Sequence, residues 1–208
     1  MEATTLKLPD TLEEEELLYL SATWEEYLDI TEESLYTVQF LNGEIIVSQA
    51  TDIHEELIGT LIWLFKNAFL NQPQCRVLGS NVKIAVSEQQ NDFNADLSVV
   101  RGPSEYALTP GGRISKARIK NPEIIVEVLS KSTRKFDMTE KITYYKLIPS
   151  LQYILFVDQY RPFASVYSRT GVPDEWLNND YRTLDSVVRL GDLELPMAAI
   201  YREMVFEA

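Results

Sequence analysis

Cysteine and histidine are nearly missing from this 208-residue chain, which holds one of each, Cys75 and His54. A single cysteine excludes an internal disulfide and a cysteine-built zinc site, and a single histidine excludes a multi-histidine metal cage. Long apolar runs are missing too. None approaches the roughly 20 residues of a membrane-spanning helix, and the acidic N-terminus lacks the basic start of a signal peptide. The expectation is a cytoplasmic protein that does not meet the membrane. Positive charge is scarce: 19 Lys and Arg stand against 32 Asp and Glu, a net −13. Any metal held by such a chain should be hard and oxygen-loving, Mg²⁺ or Mn²⁺.

Taken whole, that acidity argues against a nucleic-acid partner. Its distribution argues otherwise. Residues 101–146 carry ten basic groups and five acidic ones, which leaves nine basic and 27 acidic groups for the rest. The segment is therefore +5 and the remainder −18. A solvated basic loop on an acidic protein is the alternative, since charge runs alone discriminate weakly.

Hydrophobic residues make up 45% of the chain and aromatics 11%, enough for one packed core. The length suits one domain, 21–208, preceded by an acidic lead-in over 1–20. Thr23 followed by Glu26 predicts a capping box and a short helix through TWEEYLDI. LYTVQF and EIIVS flank Asn42-Gly43, a strong hairpin signal because both residues tolerate positive φ. Ile53, Leu57, Leu61, Leu64, Phe65 and Ala68 recur at helical spacing and predict a helix from Asp52 to about Leu70. A strand over Arg76–Val86, a polar turn (SEQQNDFN) and the strand ADLSVV follow. A long connection over 102–121 then leads to the strand IIVEVLS. A helix over 137–148, with Asp137 and Glu140 as a capping box, precedes the strand YILFVD. ASVYSR, a strand near TLDSVVRL and a turn or helix near Met197–Arg202 close the chain. This order predicts an α/β fold, a mixed sheet flanked by helices, with one parallel crossover through the 137–148 helix.

Two carboxylates stand out against this pattern. Asp96 opens ADLSVV and Glu127 lies between Val126 and Val128. An ionised carboxylate on an interior strand loses hydration worth on the order of several kcal/mol, so a metal, a cation or a bound proton must compensate. Asp96 reads equally as a turn cap at a strand start. Glu127, on one strand face with Ile125 and Leu129, has no such everyday explanation. Lys141 shares a helix face with Met138, Tyr144, Tyr145 and Ile148 and is able to reach inward; an ordinary i,i+4 surface pair with Asp137 is the other reading. Glu44 after the turn reads as an exposed strand residue, and His54 as a capping or packing residue. Ser130 to Arg134 form a polar strand-to-helix turn whose hydroxyls and amides can orient a carboxylate or a phosphate oxygen.

The combination NGEIIVSQAT with His54, ADLSVV, NPEIIVEVLSKSTRKFDMTEK, SLQYILFVD and LGDLELPMAAIY resembles the Uma-two family of restriction endonuclease-like proteins, within the PD-(D/E)xK nuclease superfamily. The likeness runs from about Thr23 to Tyr201 and is most specific from Asn121 to Lys141. It implies a restriction-endonuclease-like core of helix, three strands, helix and strand, with an N-terminal β-hairpin. Asp96 and Glu127 would be the two motif acids, and Lys141 the motif lysine displaced onto the following helix, since residue 129 is leucine. Glu44 and the Val128 carbonyl would be further metal ligands, with His54, Ser130 and Thr133 in support. Ala95 replaces the family's proline before the first acid, and Asn42 an aspartate before the turn glycine.

What the resemblance implies is Mg²⁺- or Mn²⁺-dependent cleavage of DNA, with Arg113, Lys116, Arg118, Lys120, Lys131, Arg134 and Lys135 on its backbone. Cutting both strands calls for two sites, so a homodimer is expected. A module that keeps the fold for binding nucleic acid or protein, without turnover, is the competing expectation, and hydrolysis of another phosphodiester a third.

Overall fold

In a computed structural model the protein is described over residues 6–13, 16–86, 91–109 and 111–206. Strand β1 (Leu18–Ser21) precedes helix α1 (Trp24–Glu33), the hairpin β2 (Thr37–Leu41) and β3 (Glu44–Ser48), and helix α2 (Asp52–Ala68). Next come β4 (Cys75–Gly79), β5 (Lys83–Val86), β6 (Asn91–Asn94), β7 (Leu97–Arg101), β8 (Tyr106–Leu108), β9 (Ile114–Ile119) and β10 (Ile124–Leu129). A π-helical turn (Phe136–Lys141) runs into α3 (Ile142–Tyr145). The chain closes with β11 (Tyr153–Asp158), β12 (Ala164–Arg169), β13 (Trp176–Tyr181), β14 (Val187–Leu190), β15 (Leu193–Pro196) and α4 (Met197–Ile200). No helix among the described residues is long and apolar enough to cross a membrane.

The strands form two large sheets rather than one. The first runs β1-β3-β2-β6-β5-β9-β8, the second β13-β12-β11-β10-β7-β4, and β14 with β15 makes a separate hairpin. Strand β10 is buried along its whole length and pairs in parallel with β11, placing Glu127 opposite Phe156. The parallel crossover predicted through the 137–148 region is thus present. On one face of the second sheet, Val126, Val128 and Leu155 pack on Leu57, Leu61 and Phe65 of α2. On the other, Ile125, Leu129, Ile154 and Phe156 join Ile84 and Phe93 of the first sheet, with Phe136 and Tyr145. Each such fully buried Leu or Phe stabilises the fold by about 1.5–3 kcal/mol. Glu127 is on this second face, between the sheets.

Local signals were read correctly where the chain makes its own contacts. Thr23 and Glu26 form the capping box of α1 in both directions. Asn42 and Gly43 adopt φ values of 51° and 85°, as a tight hairpin turn demands.

Six expectations need correction. The stretch read as a lead-in includes β1, which pairs along its length with β3, and a buried Leu12; residues 1–5 and 14–15 lie outside the described part. Arg76–Val86 is two strands, β4 and β5, which enter different sheets. The polar NDFN is strand β6, and its Asn91 and Asp92 are buried; residues 87–90 are outside the described part. The long connection holds β8 and β9. Asp137 and Glu140 cap nothing: the helical segment starts at Arg134, just after a turn in which the Ser130 hydroxyl accepts from the Thr133 N–H, and carries Asp137 in its interior. Finally, β12 pairs with β13, a strand of mostly exposed polar residues that hydrophobic patterning cannot find.

Candidate active site

Strands β7 and β10 pair antiparallel only as far as Leu97 and Val126. Beyond that point the chain bends at Asp96, and the free edge of β10 takes a side chain instead of a strand. The Val128 N–H donates to Asp96 Oδ2 at 2.6 Å. Asp96 is thereby fastened to the strand that carries Glu127.

Helix α2 delivers the histidine. Thr51 caps the helix by accepting from the His54 N–H, so His54 stands in the first turn. Its Nε2 is 3.3 Å from Asp96 Oδ1 and its Nδ1 is 3.2 Å from Gln159 Oε1. Burial disfavours a charged ring, but the hydrogen bond and charge of Asp96, with Gln159, outweigh it and raise His54 to about 9. Both ring nitrogens face oxygens, which suits the doubly protonated form.

The π-helical turn places two charged groups inward. Its wider winding brings residues four apart nearly into line, and such turns favour functional sites. Asp137 and Lys141 are both buried, at 3% and 2% exposure. The Lys141 ammonium meets three acceptors: the Asn94 carbonyl at 3.0 Å, Glu127 Oε1 at 2.8 Å and Asp137 Oδ1 at 3.1 Å. Glu127 Oε1 also accepts from the Tyr145 hydroxyl at 2.6 Å. Burial pushes the Glu127 carboxyl up against the pull of Lys141, and Asp137 is pushed up by burial in the same way. For Lys141, burial is outweighed by Asp137 and Glu127, which hold the ammonium charged. Tyr145, desolvated and beside Glu127, is held as a neutral donor.

His54, Asp96, Glu127, Asp137 and Lys141 line one pocket of about 60 Å³ together with Ser48, Ser130, Ser132 and Thr133. That volume suits an ion and a few waters rather than an organic ligand. Three carboxylates (Asp96, Glu127, Asp137) and the exposed Glu55 face two cations (His54, Lys141), and burial holds the Glu127 carboxyl toward its protonated form, so an entering cation would take the place of a proton.

The structure therefore brings together Asp96, Glu127, Lys141, His54, Ser130 and Thr133, with the Val128 backbone alongside. It separates Glu44 from them. Glu44 is exposed at the start of β3, whereas Ser48 at the other end lines the pocket; four residues of strand span roughly 13 Å. Ser130 serves the turn, accepting from the Thr133 N–H at 3.1 Å. Thr133 hydrogen-bonds the carboxylate of Asp137.

The basic set is also divided. Arg113, Lys116, Lys120, Lys131 and Lys135 are exposed. Arg118 is tied to buried Asp92, and Arg134 to Asp158, so neither guanidinium is a simple surface contact. The sequence reading missed Asp137 and Tyr145. Asp137 was findable: if Lys141 points inward on a helical turn, the residue four before it does too.

Among the described residues, no three or more His, Cys, Asp or Glu side chains are arranged as a ready-made metal cage. Mg²⁺ rarely uses one. It is bound through one or two carboxylates, waters and substrate oxygens, and the oxygen-only pair Asp96 and Glu127 fits that habit.

Residues 24–198 match a family model described as "Uma2: Putative restriction endonuclease". Two uncharacterised proteins of Synechocystis sp. are each 29% identical to the chain. One aligns over 153 residues, 73% of this chain and 82% of that protein; the other over 184 residues, 88% and 92%. A crystal structure of "a putative nuclease belonging to DUF820" from Anabaena variabilis superposes with a TM-score of 0.68 at 16% identity, covering 86% of this chain and 97% of the other. At that identity the likeness speaks for the fold, which is the nuclease-like α/β arrangement predicted above.

Proposed function

Because the chain belongs to the Uma2 family, described as "Putative restriction endonuclease", we propose that it is a DNA endonuclease that hydrolyses phosphodiester bonds with Mg²⁺ or Mn²⁺. One observation carries the reading: three carboxylates and two cations converge on a pocket the size of a hydrated ion. Asp96 and Glu127 would hold the ion. The Val128 carbonyl would join them, because N–H and C=O of one residue in an extended strand point to the same side, and this N–H points at Asp96. Bound there, a divalent ion supplies Lewis-acid polarisation of the phosphodiester and acidification of a water.

The protein's own groups prepare this site. His54 and the Val128 N–H fix both oxygens of Asp96. Tyr145 and Lys141 both address Oε1 of Glu127, which orients Oε2 for another partner. Lys141, anchored by the Asn94 carbonyl, keeps a buried ammonium where charge develops on a phosphate oxygen. Asp137 holds that ammonium from the other side. The exposed Arg113, Lys116, Lys120, Lys131 and Lys135 would meet the DNA backbone, making affinity steeply dependent on salt. Two copies of the chain would cut both strands.

The test is cleavage of plasmid DNA with and without Mg²⁺, by the protein and by its Asp96→Asn variant. Cleavage that survives in the purified variant, or in excess EDTA, rejects the assignment. A second reading, a binding module without turnover, has one observation in its favour: all three donors of the Lys141 ammonium already have acceptors within the protein. Calorimetry with Mn²⁺ separates the two, since such a module takes up no ion that depends on Asp96 and Glu127.

A further inference from the structure

A second cavity, of about 740 Å³, opens where β5 and β9 part. The two strands pair only at Lys83 with Arg118 and Ile84 with Ile119. Past these positions the space is walled by Trp24, Ala85, Tyr106, Leu108, Leu147 and Pro149. Ligand pockets typically measure about 300–1,000 Å³ and combine mostly apolar walls with a few placed polar groups; this one has both properties. Leu108 and Leu147 on its wall are 63% and 60% exposed, large apolar side chains left uncovered.

The polar groups are held rigidly. Asp92, 1% exposed, accepts from the Tyr27 hydroxyl at 3.0 Å and from Arg118 Nε through the same oxygen, Oδ2. Its other oxygen, Oδ1, is buried without a hydrogen bond, as is Asn91 Nδ2 beside it on β6. The Arg118 guanidinium is thus fixed over the Trp24 ring, 5.4 Å from its centroid. A guanidinium has five N–H donors, more than Asp92 and Tyr27 can use. Lys120 lines the same cavity and is exposed. Against these cations, Asp92 is the one acid lining the cavity among the described residues. The charge balance is the reverse of that in the first pocket.

We propose that this cavity binds a small anion that joins an aromatic ring to a phosphate, of the build of a nucleoside monophosphate, its ring against Trp24 and Tyr106 and its phosphate on Arg118 and Lys120. An aromatic ring answers the apolar walls, and a phosphate answers the fixed guanidinium with paired N–H···O bonds. A bare anion leaves the walls uncovered, and a neutral ring leaves the cations unanswered. Recognition here is independent of the ion site and of cleavage.

Isothermal titration of the full chain in EDTA tests this, with AMP, phenyl phosphate, adenosine and inorganic phosphate as probes. AMP and phenyl phosphate should bind, and adenosine and inorganic phosphate at least tenfold more weakly. Lys120→Glu, a change at an exposed side chain, should weaken AMP binding at least fivefold, and Arg118→Lys should do so through loss of the paired donors. The inference is overturned by no heat from AMP and phenyl phosphate at millimolar concentration, by inorganic phosphate binding as tightly as phenyl phosphate, or by unchanged affinity in Lys120→Glu. Loss of AMP binding in Asp96→Asn would also overturn it, by moving the ligand to the other pocket. Because EDTA removes the ions on which cleavage depends, this outcome and the nuclease reading fail separately.

Discussion

The two ends of the short strand β6 lead to two buried polar clusters of opposite electrical character. At the Asn94 end, three carboxylates surround Lys141 and His54. At the Asp92 end, one carboxylate faces Arg118 and the exposed Lys120. Each contains ion pairs that cost desolvation, yet acids outnumber cations in the first and cations outnumber acids in the second. The imbalance, more than the pairing, indicates what each can accept: a cation in the first, an anion in the second.

The largest effect expected is at the first cluster. Glu127→Gln keeps an oxygen for Tyr145 and removes the charge, so cleavage should fall by about 10³-fold or more, roughly 4 kcal/mol of barrier. Stability should hold, because the change relieves a desolvated charge. A plasmid assay beside urea unfolding reads both, and a Gln variant that cuts normally would dissolve the contrast between the clusters. At the second cluster the reverse is expected. Arg118→Ala leaves Asp92 buried without its cation and should cost about 3–5 kcal/mol of stability, measured by urea unfolding. Replacing both residues with apolar ones should recover much of that loss.

Lys83 sharpens the comparison through pH. Burial lowers it to about 8, with Asp92 opposing and Arg118 and Lys141 assisting. Its folded pKa is below the unfolded value near 10.5, so the folded state prefers the neutral amine. Stability from this group is fully present above pH ~10.5 and is lost as pH falls through about 8. The difference in unfolding free energy between the protein and Lys83→Met should therefore rise between those limits, by up to about 3 kcal/mol. A flat difference would mean that Lys83 titrates as if in water.

Smaller effects should follow at the edges. Asp137→Asn removes an acid that holds Lys141, and Mn²⁺ affinity should weaken about tenfold by calorimetry. Replacing Arg113 and Lys116 with alanine should weaken DNA binding most at low salt and least at high salt, reducing the slope of log affinity against log salt by about 2 units.

Legibility differed between the clusters for a physical reason. Glu127 was visible because a charge between Val126 and Val128 contradicts its surroundings, and the contradiction is local. Lys141 followed from helical spacing alone. Asp92 lies in SEQQNDFN, whose polarity reads as a turn; only pairing with β2 and β5 makes it a buried strand. Arg118 looked like one more base in a basic loop, because its partner lies 26 residues away. Glu44 misled in the other direction: it keeps the spacing of an acid after a turn, but its strand carries it away from the pocket.

The amino-acid order by itself determined helices α1 and α2, the capping box of α1, the Asn42-Gly43 hairpin, the buried strand around Glu127 and the crossover that follows it. All of these depend on neighbours a few residues apart, where spacing translates directly into a shared face. Which acids meet which cations was decided only by tertiary structure. The splitting of one sheet into two, the bend at Asp96 and the π-helical turn at Asp137 depend on packing between distant segments, and burial there sets the charge each pocket lacks.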